Sequence, residues 1–154
     1  MEKEKIIDWD EYFMLLAKVS SLRSKDPNTR VGACIINDKK RVIALGYNGM
    51  PLGNDFFPWS KDAENEKDKK YAYVIHAELN AILNTTTLLE NAVLYTTLFP
   101  CSNCAKTITQ TGIKEIVYEQ DFYHDTEDAW ISRKIFKESS IKTRQIKQIN
   151  IEIK

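Results

Sequence analysis

Residues 8–23 carry Trp9, Phe13, Leu16, Ala17 and Ser20 at helical spacing, and Asp8 followed three residues later by Glu11 has the form of a capping box. The chain's first element is therefore a helix. SKDPN is polar and holds a proline, which predicts a loop before the apolar stretch VGACIIN. A polar NDKK separates that stretch from RVIALGYNG, and two β-rich runs joined by such a turn make a hairpin. Periodicity then dissolves between Met50 and Lys70, a segment with two prolines and a mixed-charge run that predicts a solvated loop insertion. YAYVIHAELNAILN returns to three- and four-residue steps and predicts a helix, and AVLYTTL predicts a strand. Pro100 and Gly112 stand where a third helix would begin and end, and EIVYE follows as a strand. DTEDAWISRKIFKES places Trp130, Ile131, Ile135 and Phe136 at helical spacing behind an Asp or Thr cap, and KTRQIKQINIEI supplies a last, edge strand.

The order α-β-β-α-β-α-β-α-β predicts a three-layer α/β domain. Its five-stranded mixed sheet has an antiparallel first hairpin and a mostly parallel remainder. A chain of 154 residues suits one domain over 1–154, and 43% hydrophobic with 29% charged residues is a globular composition. Lys and Arg total 22 against 22 Asp and Glu, so no global field favours a long polyanion, and nucleic acid is not an expected partner. A single nucleotide needs only local cations, which a neutral chain can supply. The N-terminus lacks a long apolar stretch, so the expectation is a cytoplasmic protein without a membrane partner.

Three cysteines are present, two of them in a C-x-x-C pair, which in a reducing compartment points to metal or redox chemistry. Cys101 and Cys104 stand three apart at the start of a predicted helix, so both sulfurs can reach one ion. His76, in the preceding helix, supplies a third ligand, and helix N-termini after consecutive parallel strands gather at one sheet edge. Structural zinc sites normally close with four protein ligands, whereas three leave room for a reacting water. Two thiolates neutralise one Zn²⁺ per chain, and a helix N-terminus helps keep them deprotonated. Glu78, two residues from His76, would lie beside the metal rather than on it, where a carboxylate can move protons. H-x-E followed by P-C-x-x-C is the signature of zinc nucleobase deaminases. Cys34, in an apolar strand, is expected to be a packing residue. Tyr123 either covers a bound base or packs half-buried, and His124 either contacts phosphate or sits at the surface.

RSKDPNTRVGACI, GYNGMPLG, YVIHAELNAI and TLFPCSNCAKTITQTGIKEIVY together make the chain resemble the deoxycytidylate deaminases, from the first helix to about residue 140. The resemblance implies the three-layer cytidine-deaminase-like fold. It also implies hydrolysis of dCMP to dUMP and ammonia, feeding thymidylate synthesis. By the same resemblance Asn28 contacts the deoxyribose, while Ser24 and Lys25 help with phosphate. It implies a hexamer activated by dCTP and inhibited by dTTP with Mg²⁺, with Gly46, Asn48 and Gly49 in the effector site. Residues 50–70 contain no Cys or His, so the further structural zinc of some relatives is not expected. Three alternatives stay open at this level: a nucleoside deaminase, a transfer RNA deaminase, and a zinc-stabilised binding module without catalysis.

Overall fold

The computed structural model describes residues 5–154. Its first element, α1 (Trp9–Ser21), is capped by Asp8, whose side chain accepts from the Glu11 amide at 2.8 Å. Strands β1 (Gly32–Ile36) and β2 (Val42–Tyr47) form the expected antiparallel hairpin. α2 (Ala77–Leu83), β3 (Val93–Leu98), α3 (Ser102–Thr109), β4 (Glu115–Gln120), α4 (Glu127–Glu138) and β5 (Lys142–Gln145) complete the chain. The sheet order is β2-β1-β3-β4-β5. β3, β4 and β5 run parallel, whereas β1 pairs antiparallel with both β2 and β3. The mixed sheet is the one expected, with β1 inserted between two strands that run the same way.

β1 is buried at every position because both its faces are covered. On one face Cys34 and Ile36 join Phe13, Met14 and Ala17 of α1, with Tyr95 and Val117. On the other, Ala33 and Ile35 join Ala77 and Ala81 of α2, Ala105 and Ile108 of α3, and Phe136 of α4. This is the three-layer arrangement. Gly112, just past α3, has φ +90°, a conformation in which a side chain is strained, so glycine ends this helix for a steric reason.

Two departures from the sequence expectation matter. The predicted helix over 71–84 begins only at Ala77: Lys70–Ala72 is a 3₁₀ turn, and Ile75 is drawn into an extended bridge with Gly49, its amide donating to the Gly49 carbonyl at 2.8 Å. His76 is consequently the N-cap of α2, extended at φ −70° and ψ 156°. On α4 the buried residues are Ala129, Ser132 and Phe136, while Trp130 stays 57% exposed. Ala129 and Ser132 face the core where α3 packs against α4, Phe136 is buried one turn further on, and Trp130 sits to one side.

Candidate active site

The N-termini of α2 and α3 meet beside the end of β3. His76 caps one helix and Cys101 the other, and neither side chain is spent on its own helix's amides. His76 Nδ1 lies 3.4 Å from Cys101 Sγ and 3.3 Å from Cys104 Sγ. All three ligand atoms fall within 4.8 Å of one another. Tetrahedral zinc, with Zn–S near 2.3 Å and Zn–N near 2.0–2.1 Å, separates its sulfur and nitrogen ligands by about 3.6 Å. The observed spacing, and a donor set of two sulfurs and an imidazole, therefore fit zinc.

Electrostatics agree with a cation between these groups. The Cys101 thiol is pulled down to about 4, first by its hydrogen bond with Cys104 and then by His76. Cys104 is pushed in the opposite direction, by the same sulfur contact and by burial. One thiolate thus opposes ionisation of the other, and a divalent cation removes that opposition. His76 is raised, chiefly by its hydrogen bond to Cys101.

Glu78 lies in the first turn of α2, buried, and its Oε1 accepts from Thr96 Oγ at 3.0 Å. Burial pushes its carboxyl pKa up, with His76 pulling the other way. A buried carboxyl so tuned can both take and return a proton. The placement two residues from His76 survives the correction to α2: the histidine caps the helix and the glutamate enters its first turn. Thr96, which holds Glu78, carries no signal of its own in the sequence. It is one of two adjacent threonines in an otherwise apolar strand.

His76, Glu78 and Cys101 open into a cavity of about 380 Å³. Its walls include Val31, Val74, Leu98 and Phe99, with Tyr71 and Tyr123 among its aromatic lining residues. Tyr123 is 55% exposed, so it stands at the rim. His124 is exposed and paired with Asp121 at 2.7 Å. Asp26, Asn48 and Lys70 also reach the cavity, bound to one another: Asp26 Oδ2 accepts from Lys70 Nζ at 2.7 Å and Asn48 Nδ2 at 3.3 Å. Asn48 further accepts from the Val31 amide at 2.8 Å and donates to the Thr29 carbonyl at 3.0 Å.

The remaining sequence candidates lie elsewhere. Ser24 is buried and donates to the Asn48 carbonyl at 2.8 Å, so it braces the loop beneath the cavity. Asn28 is exposed, its amide donating to Asp26 Oδ1 at 2.8 Å. Lys25 is paired with Asp55 and lines a second cleft of about 190 Å³ together with Arg23, Asn48 and Gly49. Gly46 faces α2: a Cβ there would lie 2.5 Å from the Ala77 carbonyl. Its missing side chain admits a helix rather than a ligand. Cys34 is fully buried and far from the other thiols' ion site, with its pKa raised to about 12 by burial. Among the described residues, no helix is long and apolar enough to cross a membrane.

Comparison with known proteins accords with this geometry. Residues 7–120 match the family model for the cytidine and deoxycytidylate deaminase zinc-binding region. Human deoxycytidylate deaminase is 46% identical over 147 residues, 94% of this chain and 83% of the human protein. The deoxycytidylate deaminase of Saccharomyces cerevisiae is 40% identical over 144 residues, covering 89% of this chain and 44% of the yeast protein. Among solved structures, a dCMP deaminase from cyanophage S-TIM5 in complex with dCMP and dUMP shares the fold, with a TM-score of 0.71, 24% identity, and coverage of 93% of this chain and 100% of that one. With its ligand triad, its buried glutamate and these relatives, the chain belongs to the cytidine and deoxycytidylate deaminase family and is a deaminase.

Proposed function

We propose that the chain hydrolyses dCMP to dUMP and ammonia, with His76, Cys101 and Cys104 holding one zinc and Glu78 carrying the protons. The observation that carries this reading is that the three ligands cluster at the wall of one cavity of about 380 Å³, with His76, Cys101 and Glu78 lining it and Cys104 buried just behind, a volume within the 300–1,000 Å³ usual for small-molecule sites. Zinc held there supplies Lewis-acid polarisation and lowers the pKa of water. Glu78, kept protonatable by burial and fixed by Thr96, takes one proton from the attacking water and gives it to the ring nitrogen as the C–O bond forms at C4. It then takes the second water proton and gives it to the amino group as the C–N bond breaks and ammonia leaves. Apolar walls from Val31, Leu98 and Phe99 exclude bulk water from the base, and Tyr123 covers it at the rim. Human deoxycytidylate deaminase, 46% identical, supports dCMP as substrate. The product would serve thymidylate synthesis in the cytoplasm.

The second cleft, lined by Arg23, Lys25, Asn48 and Gly49, offers a polyanion two cations, Lys25 exchanging its Asp55 partner for the ligand. We assign it to the effectors dCTP and dTTP with Mg²⁺, acting in a hexamer, and Lys25 to that cleft rather than to the substrate phosphate. Asn28 at the loop surface would then meet the deoxyribose, and Ser24 would act through Asn48.

The decisive experiment measures ammonia release from dCMP, deoxycytidine, CMP and an RNA stem-loop. Preference for dCMP is expected, and preference for the unphosphorylated nucleoside or the RNA overturns the reading. Glu78→Gln should reduce kcat by about 10²–10⁴ while retaining zinc. Full activity of that variant would take the proton transfers away from Glu78.

A further inference from the structure

The turn that presents Cys101 is held from outside its own helix. An N-cap residue usually spends its side chain on the first free amides of its helix. Cys101 occupies that position in α3 and makes no such bond. Its sulfur faces His76 instead. The missing cap comes from α4: Asp128 Oδ2 accepts from the Ser102 amide at 3.1 Å, and Asp128 Oδ1 accepts from the Ser102 hydroxyl. One helical turn later, Ser132 Oγ donates to the Pro100 carbonyl at 2.7 Å. Ser132 is fully buried, so that carbonyl has no water to replace the bond. Another turn on, the Phe136 ring packs edge-on against Phe99, with centroids 5.9 Å apart.

Asp128, Ser132 and Phe136 are spaced four apart and share one stripe of α4. They grip Ser102, Pro100 and Phe99 in turn, on both sides of Cys101. We propose that α4 is a clamp that pre-sets the cysteine ligand turn, with Asp128 and Ser132 as positioning residues for the metal. The proposal rests on the zinc reading of His76, Cys101 and Cys104. Partners that orient ligands in this way commonly contribute ten- to hundredfold to metal affinity. Ser132 and Phe136 are buried, and Asp128 meets Ser102 at the exposed end of the stripe.

The test is zinc affinity by competition with a chromogenic chelator, read beside the thiolate-to-metal charge-transfer band of the Co²⁺-substituted protein. Ser132→Ala and Asp128→Ala should each weaken zinc by about tenfold and shift the cobalt band. Asp128→Asn keeps an acceptor for the Ser102 amide and should fall between. Phe13→Leu, on the opposite face of the sheet, destabilises the fold without touching the turn and should leave affinity and spectrum unchanged. Clamp variants that match a zinc-loaded wild type overturn the proposal, as does an equal loss in Phe13→Leu, which would make the effect one of general stability. A wild-type protein that binds neither ion overturns the zinc reading itself, and the clamp with it.

Discussion

Replacing Lys70 with methionine would break an ion pair that is buried beside the substrate cavity. Lys70 and Asp26 side chains are 10% and 1% exposed, with Nζ and Oδ2 2.7 Å apart. At that separation and an effective dielectric near 20 the attraction is about 6 kcal/mol, much of it offset by the desolvation of both charges. Removing one partner of such a pair typically costs about 3–5 kcal/mol, because the survivor is left buried and unpaired. Asp26 retains amide contacts from Asn28, Thr29 and Asn48, so the lower end, about 3 kcal/mol, is expected. For a chain of this size that lowers Tm by about 6–12 °C. Thermal and urea unfolding measure it, and Asp26→Asn combined with Lys70→Met should recover more than half of the loss. A single-variant loss under about 1 kcal/mol, or a double variant no more stable than the single, refutes the reasoning. KM for dCMP should rise as well, because the pair joins the loop after α1 to the cavity wall.

Gly46→Ala should push α2 outward, since the new Cβ would meet the Ala77 carbonyl at 2.5 Å, and activity should fall more than stability because α2 carries Glu78. Circular dichroism and kcat compare the two; unchanged kcat would contradict this packing. Thr96→Val removes the hydroxyl that holds Glu78 and should cost roughly fivefold in kcat, equivalent to about 1 kcal/mol, with zinc content preserved. Cys34 titrates near 12 when folded against about 8.5 in an unfolded chain, so the folded state keeps its proton longer. Its contribution is complete below about pH 8.5 and is lost as pH rises towards 12, at up to about 1.4 kcal/mol per pH unit. The stability difference between wild type and Cys34→Ala should therefore shrink between pH 8 and pH 11 in urea titrations, and a difference independent of pH would refute the assignment.

Much of this architecture is legible in the sequence because its signals are local. Asp8 and Glu11 announce α1, the NDKK turn announces the hairpin, and the two cysteines announce their own spacing. What the sequence conceals depends on distant partners. The apolar period through Tyr71–Asn84 extends the second helix too far, because nothing local reveals that Gly49 captures Ile75 in an extended bridge. Asn48 resembles a ligand-reading residue in a turn, yet its side chain is spent on Val31, Thr29 and Asp26. Lys70 belongs to a charged run that looks solvated, and its burial follows only from the long-range contact with Asp26. Ser132 and Asp128 are ordinary polar residues of a surface helix until α3 is set beside them.

The insertion of β1 between β2 and β3 has a kinetic consequence. Thr96, which fixes Glu78, is aligned by pairing with Ala33, more than sixty residues earlier in the chain. Pairings of that range form late, since loop-closure entropy is lost before they return any energy. The ligands on α2 and α3 depend on the same central strands to meet. Metal capture during refolding should accordingly lag behind helix formation, and the time course of zinc uptake would mark the moment at which the middle of the sheet closes.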